Sequence, residues 1–312
     1  MKRRERVIGA LLGSVAGDAL GAPWEFSQPF PLSRAGVEPE ALDHRPSPLW
    51  EAGEWTDDSQ QAILVAQSIL RQDDVDPDDI WYLLLRWFNG QPKDVGMATA
   101  TALGMAQRAR EVTNDGRIGG NGSIMRATPL AIFLADRGRG QRAERHMDVS
   151  LLTHHDVQPA FGCVLYGEMI RVALLGQDPI GVIDRTLGRW ASDLGPVSDR
   201  YREVLDPGWS PLLAEDSNGT AWVTLGTAVW ALRQEWTFRQ AMWEVIELGG
   251  DTDTAACVAG GLLGSVLGVG AIPEEWVTPL HGATIGHEEA WLNWEDLAAI
   301  ATELDLLGRG AG

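Results

Sequence analysis

The chain has 312 residues, 45% of them apolar and 22% charged, which is ordinary globular composition with ample material for a core. Acids outnumber bases 44 to 25, for a formal net charge of -19. That balance disfavours duplex nucleic acid or an anionic membrane as the main partner, because both are met with clustered Lys and Arg. A small anionic ligand stays open, since backbone N–H groups, metal ions or a few arginines can hold a diphosphate locally.

At the N-terminus Lys2, Arg3, Arg4 and Arg6 precede an apolar run over residues 7–16 that imitates a signal peptide. Gly13, Gly17 and Asp18 interrupt it, and the pattern runs on into Gly21, Trp24 and Glu25, so a core helix is the preferred reading. A second apolar stretch, residues 255–271, is at the lower limit for a membrane span, and its glycines and flanking acids again favour a packed core helix. Gly9, Gly13, Gly17 and Gly21 recur every fourth residue, as do Gly260, Gly264 and Gly268. On a helix each set is a smooth stripe, and a helical glycine costs about 1 kcal/mol relative to alanine. Close backbone contacts must offset that cost, so the two helices are predicted at the centre of a bundle, facing each other or other neighbours.

Residues 28–53 are rich in Pro, Glu and Ser and read as a long loop, a length typical of lids and binding loops. Ala62, Ile63, Val65, Ala66, Ile69 and Leu70 then follow a helical period. Asp76 and Pro77 open a further helix that stops at Asn89-Gly90. The same segment imitates an EF-hand loop, but Asp79 replaces the required glycine and Leu85 the terminal glutamate. More helices are predicted over 98–111, 129–135, 158–175, 220–234, 238–248 and 291–307, with an irregular region over 190–219. No segment alternates with period two, so the expected fold class is all-α, and no break divides residues 1–312 into domains. Cys163 and Cys257 each stand alone in apolar runs, which offers neither a disulfide framework nor a thiolate metal site and makes the cytoplasm the default compartment.

Four clusters carry candidate chemistry. Thr56-Asp57-Asp58 falls at a helix start, where capping alone explains it, yet it also groups three hard oxygen donors suited to Mg²⁺ or Mn²⁺. Asp251-Thr252-Asp253-Thr254, behind Gly249-Gly250, repeats that design before the glycine-striped helix. Four aspartates brought together would repel one another without a cation between them, so the pair of clusters favours a two-metal oxygen site over double capping. Gly119 to Ser123 form a glycine-rich turn that either cradles phosphate or is a plain turn, and Arg126 stands ready for a phosphate or an aspartate. In Thr153-His154-His155-Asp156 the spacing of a zinc helix is absent, so capping or ligand contact is preferred. Glu25 is either a solvated acid or a general acid/base.

Taken together, Gly17-Asp18-Ala19-Leu20-Gly21 with Glu25, Thr56-Asp57-Asp58-Ser59, Asp94-Val95-Gly96, Asn121 to Arg126, Thr153 to Asp156 and Leu248 to Thr254 resemble the ADP-ribosylglycohydrolase family in content and order. The resemblance implies a compact multi-helix domain with a central two-metal cleft. It implies hydrolysis of the glycosidic bond between ADP-ribose and a modified side chain, with arginine favoured by the region around Trp24-Glu25-Phe26. By the same resemblance Thr56, Asp57, Asp58, Asp251, Asp253 and Thr254 would hold two divalent cations, Mg²⁺ or Mn²⁺. Glu25 would be the movable acid/base and Asp94 would line the site near the scissile bond. Gly120, Asn121, Gly122 and Ser123 would hold the diphosphate, and His154 and Asp156 would contact the nucleotide. Ser59 stands where the family usually has Thr, and Met97 and Ala98 are more apolar than usual beside the aglycone. The implied partner is ADP-ribose or an ADP-ribosylated protein, bound by a monomer. The alternative is a silent ADP-ribose-binding or crystallin-like relative, which the complete acidic set argues against.

Overall fold

The computed structural model describes residues 1–27, 32, 36–37, 41–105, 119–284 and 291–310. Among them the helices run in the order α1 (Arg3–Gly21), α2 (Asp57–Gln72), α3 (Pro77–Asn89), α4 (Met97–Gly104), α5 (Thr128–Leu134), α6 (Arg139–Leu151) and α7 (Val157–Leu174). They continue with α8 (Ile183–Leu194), α9 (Pro196–Val204), α10 (Ala221–Arg233), α11 (Phe238–Glu247), α12 (Thr252–Leu267), α13 (Glu274–Val277) and α14 (Trp294–Gly310). One small antiparallel ribbon, β1 (His281–Ala283) with β2 (Trp291–Asn293), precedes the last helix.

The two glycine stripes face each other. A Cβ built on Gly9 would lie 2.4 Å from the carbonyl oxygen of Gly264, and one on Gly13 2.4 Å from that of Gly260. On Gly17 it would lie 2.0 Å from the Ala256 oxygen, and on Gly21 2.4 Å from that of Thr252. The register runs antiparallel, backbone against backbone, with no room for a side chain. Gly268 differs from expectation: it caps α12 at a φ of 78° instead of extending the helical stripe. By length and composition α1 could cross a membrane, but 83% of its apolar window is buried inside the fold. Helices α7, α10 and α11 pack on α12, α14 packs on α1, and α5 joins α14 to α7. Cys163 and Cys257 are both free and buried in this core.

Several helix starts follow from their caps. Asp76 Oδ1 accepts from the backbone N–H groups of Asp78 and Asp79, with Pro77 in the first turn, as a capped start and not a calcium loop. Thr237 caps α11 through Gln240 N. Residues 42–53 are loop, as predicted, while most of 28–41 lies outside the described residues. So does the C-terminal part of the helix predicted over 98–111, whose described portion is α4.

Three elements depart from the sequence reading. Helix α6 was not predicted because its buried face is largely polar, with Arg142, His146 and Ser150 turned inward, so no apolar period marks it. The region read as irregular over 190–219 instead begins with the end of α8 and then α9, which Gly195-Pro196 separates as a helix junction. The last helix starts three residues later than predicted. Asn293 Oδ1 accepts from Glu295 N and Asp296 N while Asp296 Oδ2 accepts from Asn293 N, a reciprocal cap that leaves residues 291–293 free to pair as β2.

Gly17→Ala should lower the unfolding free energy by about 2 kcal/mol or more, because overpacking outweighs the gain in helix propensity. Gly188→Ala, on the exposed face of α8 with nothing within 4 Å of the new Cβ, should instead gain up to about 1 kcal/mol. Urea unfolding of the two variants checks the opposite signs.

Candidate active site

The antiparallel contact delivers the C-terminal end of α1 to the N-terminus of α12, where Thr252 Oγ1 donates to Gly21 O at 2.9 Å. Asp18, one turn before the end of α1, is fully buried and receives four donors from the start of α2: Thr56 N and Oγ1, and Ser59 N and Oγ. The aspartate thereby hangs the N-terminus of α2 on α1. Thr56 also caps α2, accepting from Asp58 N. Thr254 Oγ1, in the first turn of α12, donates to Asp58 Oδ2 at 3.3 Å and ties the two helix starts together. Asp57, Asp58, Asp251, Asp253 and Thr254 line one cavity of about 950 Å³, joined by Glu25 and Asp94.

The remaining walls are built by two asparagines and a buried arginine. Asn218 Oδ1 accepts from Asp251 N, and its Nδ2 donates to Gly249 O and Asp251 O. Asn121 Nδ2 donates to Asp251 Oδ2 at 2.9 Å, to Thr224 Oγ1 and to Asn218 O, so Asp251 is oriented from both sides. Arg126 is fully buried and reaches Gln61 Oε1, Val149 O and Thr153 Oγ1. Gln61 Nε2 in turn donates to Asp57 Oδ2, and Thr153 Oγ1 bonds His154 Nδ1 at 2.9 Å. Gly120 and Gly122 sit against the His154 ring; a Cβ on Gly122 would lie 3.1 Å from its Cε1. The close approach of the histidine therefore favours a glycine at position 122, while a Cβ at Gly120 would meet the ring in ordinary contact.

Burial and mutual repulsion dominate the electrostatics. Burial first, and then the charges of Asp94, Asp251 and Asp57, raise Glu25 to about 8. Asp57 rises to about 7 from burial and from Asp94 and Asp18, while the Gly96 backbone N–H opposes the shift. Burial lifts Asp58 and Asp253 well above the carboxylate range, with their neighbours adding to it. Asp18 reaches only about 6, because Ser59 and Thr56 hydrogen bonds favour its anion. His154 is pushed down to about 3 by burial, then by Arg126, and is neutral.

Several predicted site residues take other places. The Ser123 hydroxyl accepts from Ser150 and Cys163 in the core, so its side chain faces away from the cavity. Asp156 caps α7 through Gln158 N and does not line the cavity. Arg126 serves the internal network instead of a phosphate. Glu25 is less free than a movable acid implies, since the next two residues are stapled to Gly250 by Phe26 N to Gly250 O at 2.6 Å and Gly250 N to Ser27 O at 2.7 Å. The sequence reading missed Asp18, Gln61 and Asn218 as site-building residues; a lone acid inside the apolar, glycine-striped run of α1 was a signal for Asp18, and nothing flagged the other two.

As to metal, no three described His, Cys, Asp or Glu side chains are already gathered as a cluster. The donor chemistry nevertheless fits hard divalent cations, with carboxylates and two threonine hydroxyls at the same two helix starts. Asp58 Oδ1 and Asp251 Oδ1 are buried with no hydrogen-bond partner among the described residues, which leaves two anionic oxygens wanting a cation.

Fold and cavity define a predominantly helical protein with an acidic cavity at helix N-termini. Comparison with known proteins makes the class specific. The family model described as ADP-ribosylglycohydrolase matches residues 1–311. The chain is 32% identical over 288 residues to the ADP-ribosylarginine hydrolase Tri1 of Pseudomonas putida, covering 88% of this chain and 73% of that protein. It is 26% identical to the ADP-ribosyl-[dinitrogen reductase] glycohydrolase of Rhodospirillum rubrum, covering 88% and 90%. A solved ADP-ribosylglycohydrolase-related protein complex superposes with a TM-score of 0.78 at 29% identity, over 98% of this chain and 99% of that one. The chain belongs to the ADP-ribosylglycohydrolase family, a family of hydrolases.

The raised carboxylates fix the sign of a pH effect in the cation-free protein. Their folded pKa values exceed the unfolded ones, so their stability contribution is fully present below about pH 4 and is lost as pH rises through about 6 to 8. Buried His154 acts oppositely but only below its ordinary value of 6.5. With chelator present, the urea midpoint should fall between about pH 7 and 8.5, and Asp57→Asn should flatten the slope. A midpoint that rises over that range would contradict the assignment.

Proposed function

We propose that the cavity binds ADP-ribose and that the chain hydrolyses the glycosidic bond between ADP-ribose and an arginine side chain, with two divalent cations, Mg²⁺ or Mn²⁺, as cofactors. The observation that carries the reading is the pair of unpartnered buried oxygens, Asp58 Oδ1 and Asp251 Oδ1, at two helix starts that open into one cavity. Thr56, Asp57, Asp58, Asp251, Asp253 and Thr254 would hold the ions. Bound there, the cations would supply Lewis acidity and a template for ribose hydroxyls or water.

The chain's own residues supply the rest. Glycosidic cleavage at the ribose anomeric carbon passes through an oxocarbenium-like state and needs an oriented sugar, an acid and a water. Glu25, whose proton affinity burial raises first and neighbouring acids next, would give its proton to the departing nitrogen. Asp94, which raises Glu25 by its charge, lines the same cavity and would stand near the scissile bond. The Asn121 and Asn218 amides hold Asp251 against rotation, and the Gln61 amide does the same for Asp57. The Thr153 hydroxyl accepts from Arg126 and gives its proton to His154 Nδ1, leaving Nε2–H beside Gly120 as a donor to the nucleotide. The arginine linkage is supported by the acidic lining and by the likeness to the ADP-ribosylarginine hydrolase of Pseudomonas putida.

The test is to incubate the protein with ADP-ribosylarginine, with and without Mn²⁺ or Mg²⁺, and to follow free ADP-ribose by chromatography. Release that needs the cation and disappears in Asp57→Ala is the expected result; tight ADP-ribose binding with no release would refute it. Glu25→Gln should lower kcat by about 100-fold or more while Mn²⁺ affinity is retained.

A further inference from the structure

Large hydrophobic side chains are exposed at few places, and one cluster surrounds the acidic cavity. Phe26 is 78% exposed, Met97 89% and Met105 69%, and all three line it. Phe26 follows Glu25 directly. Met97 opens α4 immediately after Gly96, whose backbone N–H faces Asp57. Both therefore stand beside acids of the cavity, Phe26 next to Glu25 and Met97 just after the Asp94-Val95-Gly96 segment that meets Asp57.

Phe26 is held in place against its own preference. Its φ is 58°, a left-handed conformation that a bulky residue rarely adopts, and the Phe26 and Ser27 bonds to Gly250 maintain it. An exposed ring kept in a strained backbone over an acidic cavity points to a ligand contact. Chemistry narrows the ligand. No Lys or Arg lines the cavity among the described residues, whereas Glu25, Asp57, Asp94 and Asp251 do. The matching group is a cation carried on an apolar stem.

We propose that Phe26 and Met97 form an apolar clamp for the aliphatic stem of the arginine leaving group, so that the enzyme selects an alkylguanidinium over bare guanidinium. This rests on the hydrolase reading above. Asp94, the lining acid that neither holds the ions nor donates the proton, receives the planar cation, and the ring and thioether cover the methylene chain behind it.

Two conjugates test the clamp: ADP-ribosylarginine and ADP-ribosylguanidine, which share the reacting bond and differ in the stem. The natural chain should favour the arginine conjugate in kcat/KM by about tenfold, within the range expected for a few methylene contacts. Phe26→Ala and Met97→Ala should each reduce that preference to about threefold or less through KM, and Phe26→Leu should largely keep it. Affinity for ADP-ribose alone should move less than about twofold, because the stem is absent from it. Variants that keep the full preference would overturn the clamp. So would a loss of ADP-ribose affinity in step with the loss of preference, which would place Phe26 on the nucleotide. If the natural chain released ADP-ribose from neither conjugate, the hydrolase reading would fall and the clamp with it, an outcome distinct from both.

Discussion

A carbonyl oxygen seated on a glycine Cα leaves neither helix free to rotate or slide, and α1 and α12 are joined that way at four successive turns. The consequence is positional. Because the helices run antiparallel, whatever follows the end of α1 must meet whatever precedes α12. Asp18 and Glu25 lie on the first side, and Asp251, Asp253 and Thr254 on the second. Helix α2 is then suspended from Asp18 by backbone and hydroxyl donors of Thr56 and Ser59, which brings Asp57 and Asp58 to the same point. Three segments separated by as much as 231 residues share one cavity because two stripes of small residues fit.

The acids at this point serve two purposes at once. Carboxylates at helix N-termini are stabilised by the helix dipole and by backbone N–H groups, so each cluster makes sense as local folding chemistry. That explanation covers Asp18, whose anion is well satisfied and whose pKa rises least. It does not cover Asp58 and Asp251, each of which keeps a buried oxygen unpartnered. Nor does it cover the mutual repulsion that raises Glu25 and Asp57. Folding alone would not select such a group of like charges; a bound cation or a cationic substrate offsets them.

How much of this was legible depended on what kind of residue did the work. Helices whose buried faces are apolar, such as α2, α7, α10 and α11, followed from period and caps. The α1–α12 contact followed from glycine spacing, since a small residue every fourth position has meaning only on a helix face. Helix α6 was hidden because Arg142 and Glu168 pair across its interface with α7, a buried polar contact that imitates surface composition. The site's acids were visible as clusters, but Gln61 and Asn218 were not, because an amide's orienting role exists only after folding brings its partners together. Ser123 and Asp156 were placed by family pattern, whereas their side-chain bonds face the core and a helix cap.

The two halves of the cavity differ in how they are held, and that difference bears on turnover. On one side a buried chain of bonds runs from Asp57 through Gln61, Arg126 and Thr153 to His154, so the acidic end and the His154 end share one internal brace. Arg126 remains charged at neutral pH even though burial lowers it to about 10, so it anchors the brace while offsetting part of the cavity's negative charge. Opposite it, Glu25, Phe26 and the start of α4 are carried by short irregular segments with exposed side chains. On the proposed reading, the braced wall would fix ADP-ribose at one orientation, and the rim, stapled to Gly250, would receive the group attached to it. Separation of these tasks suits a hydrolase whose constant part is the nucleotide and whose variable part is the side chain being freed.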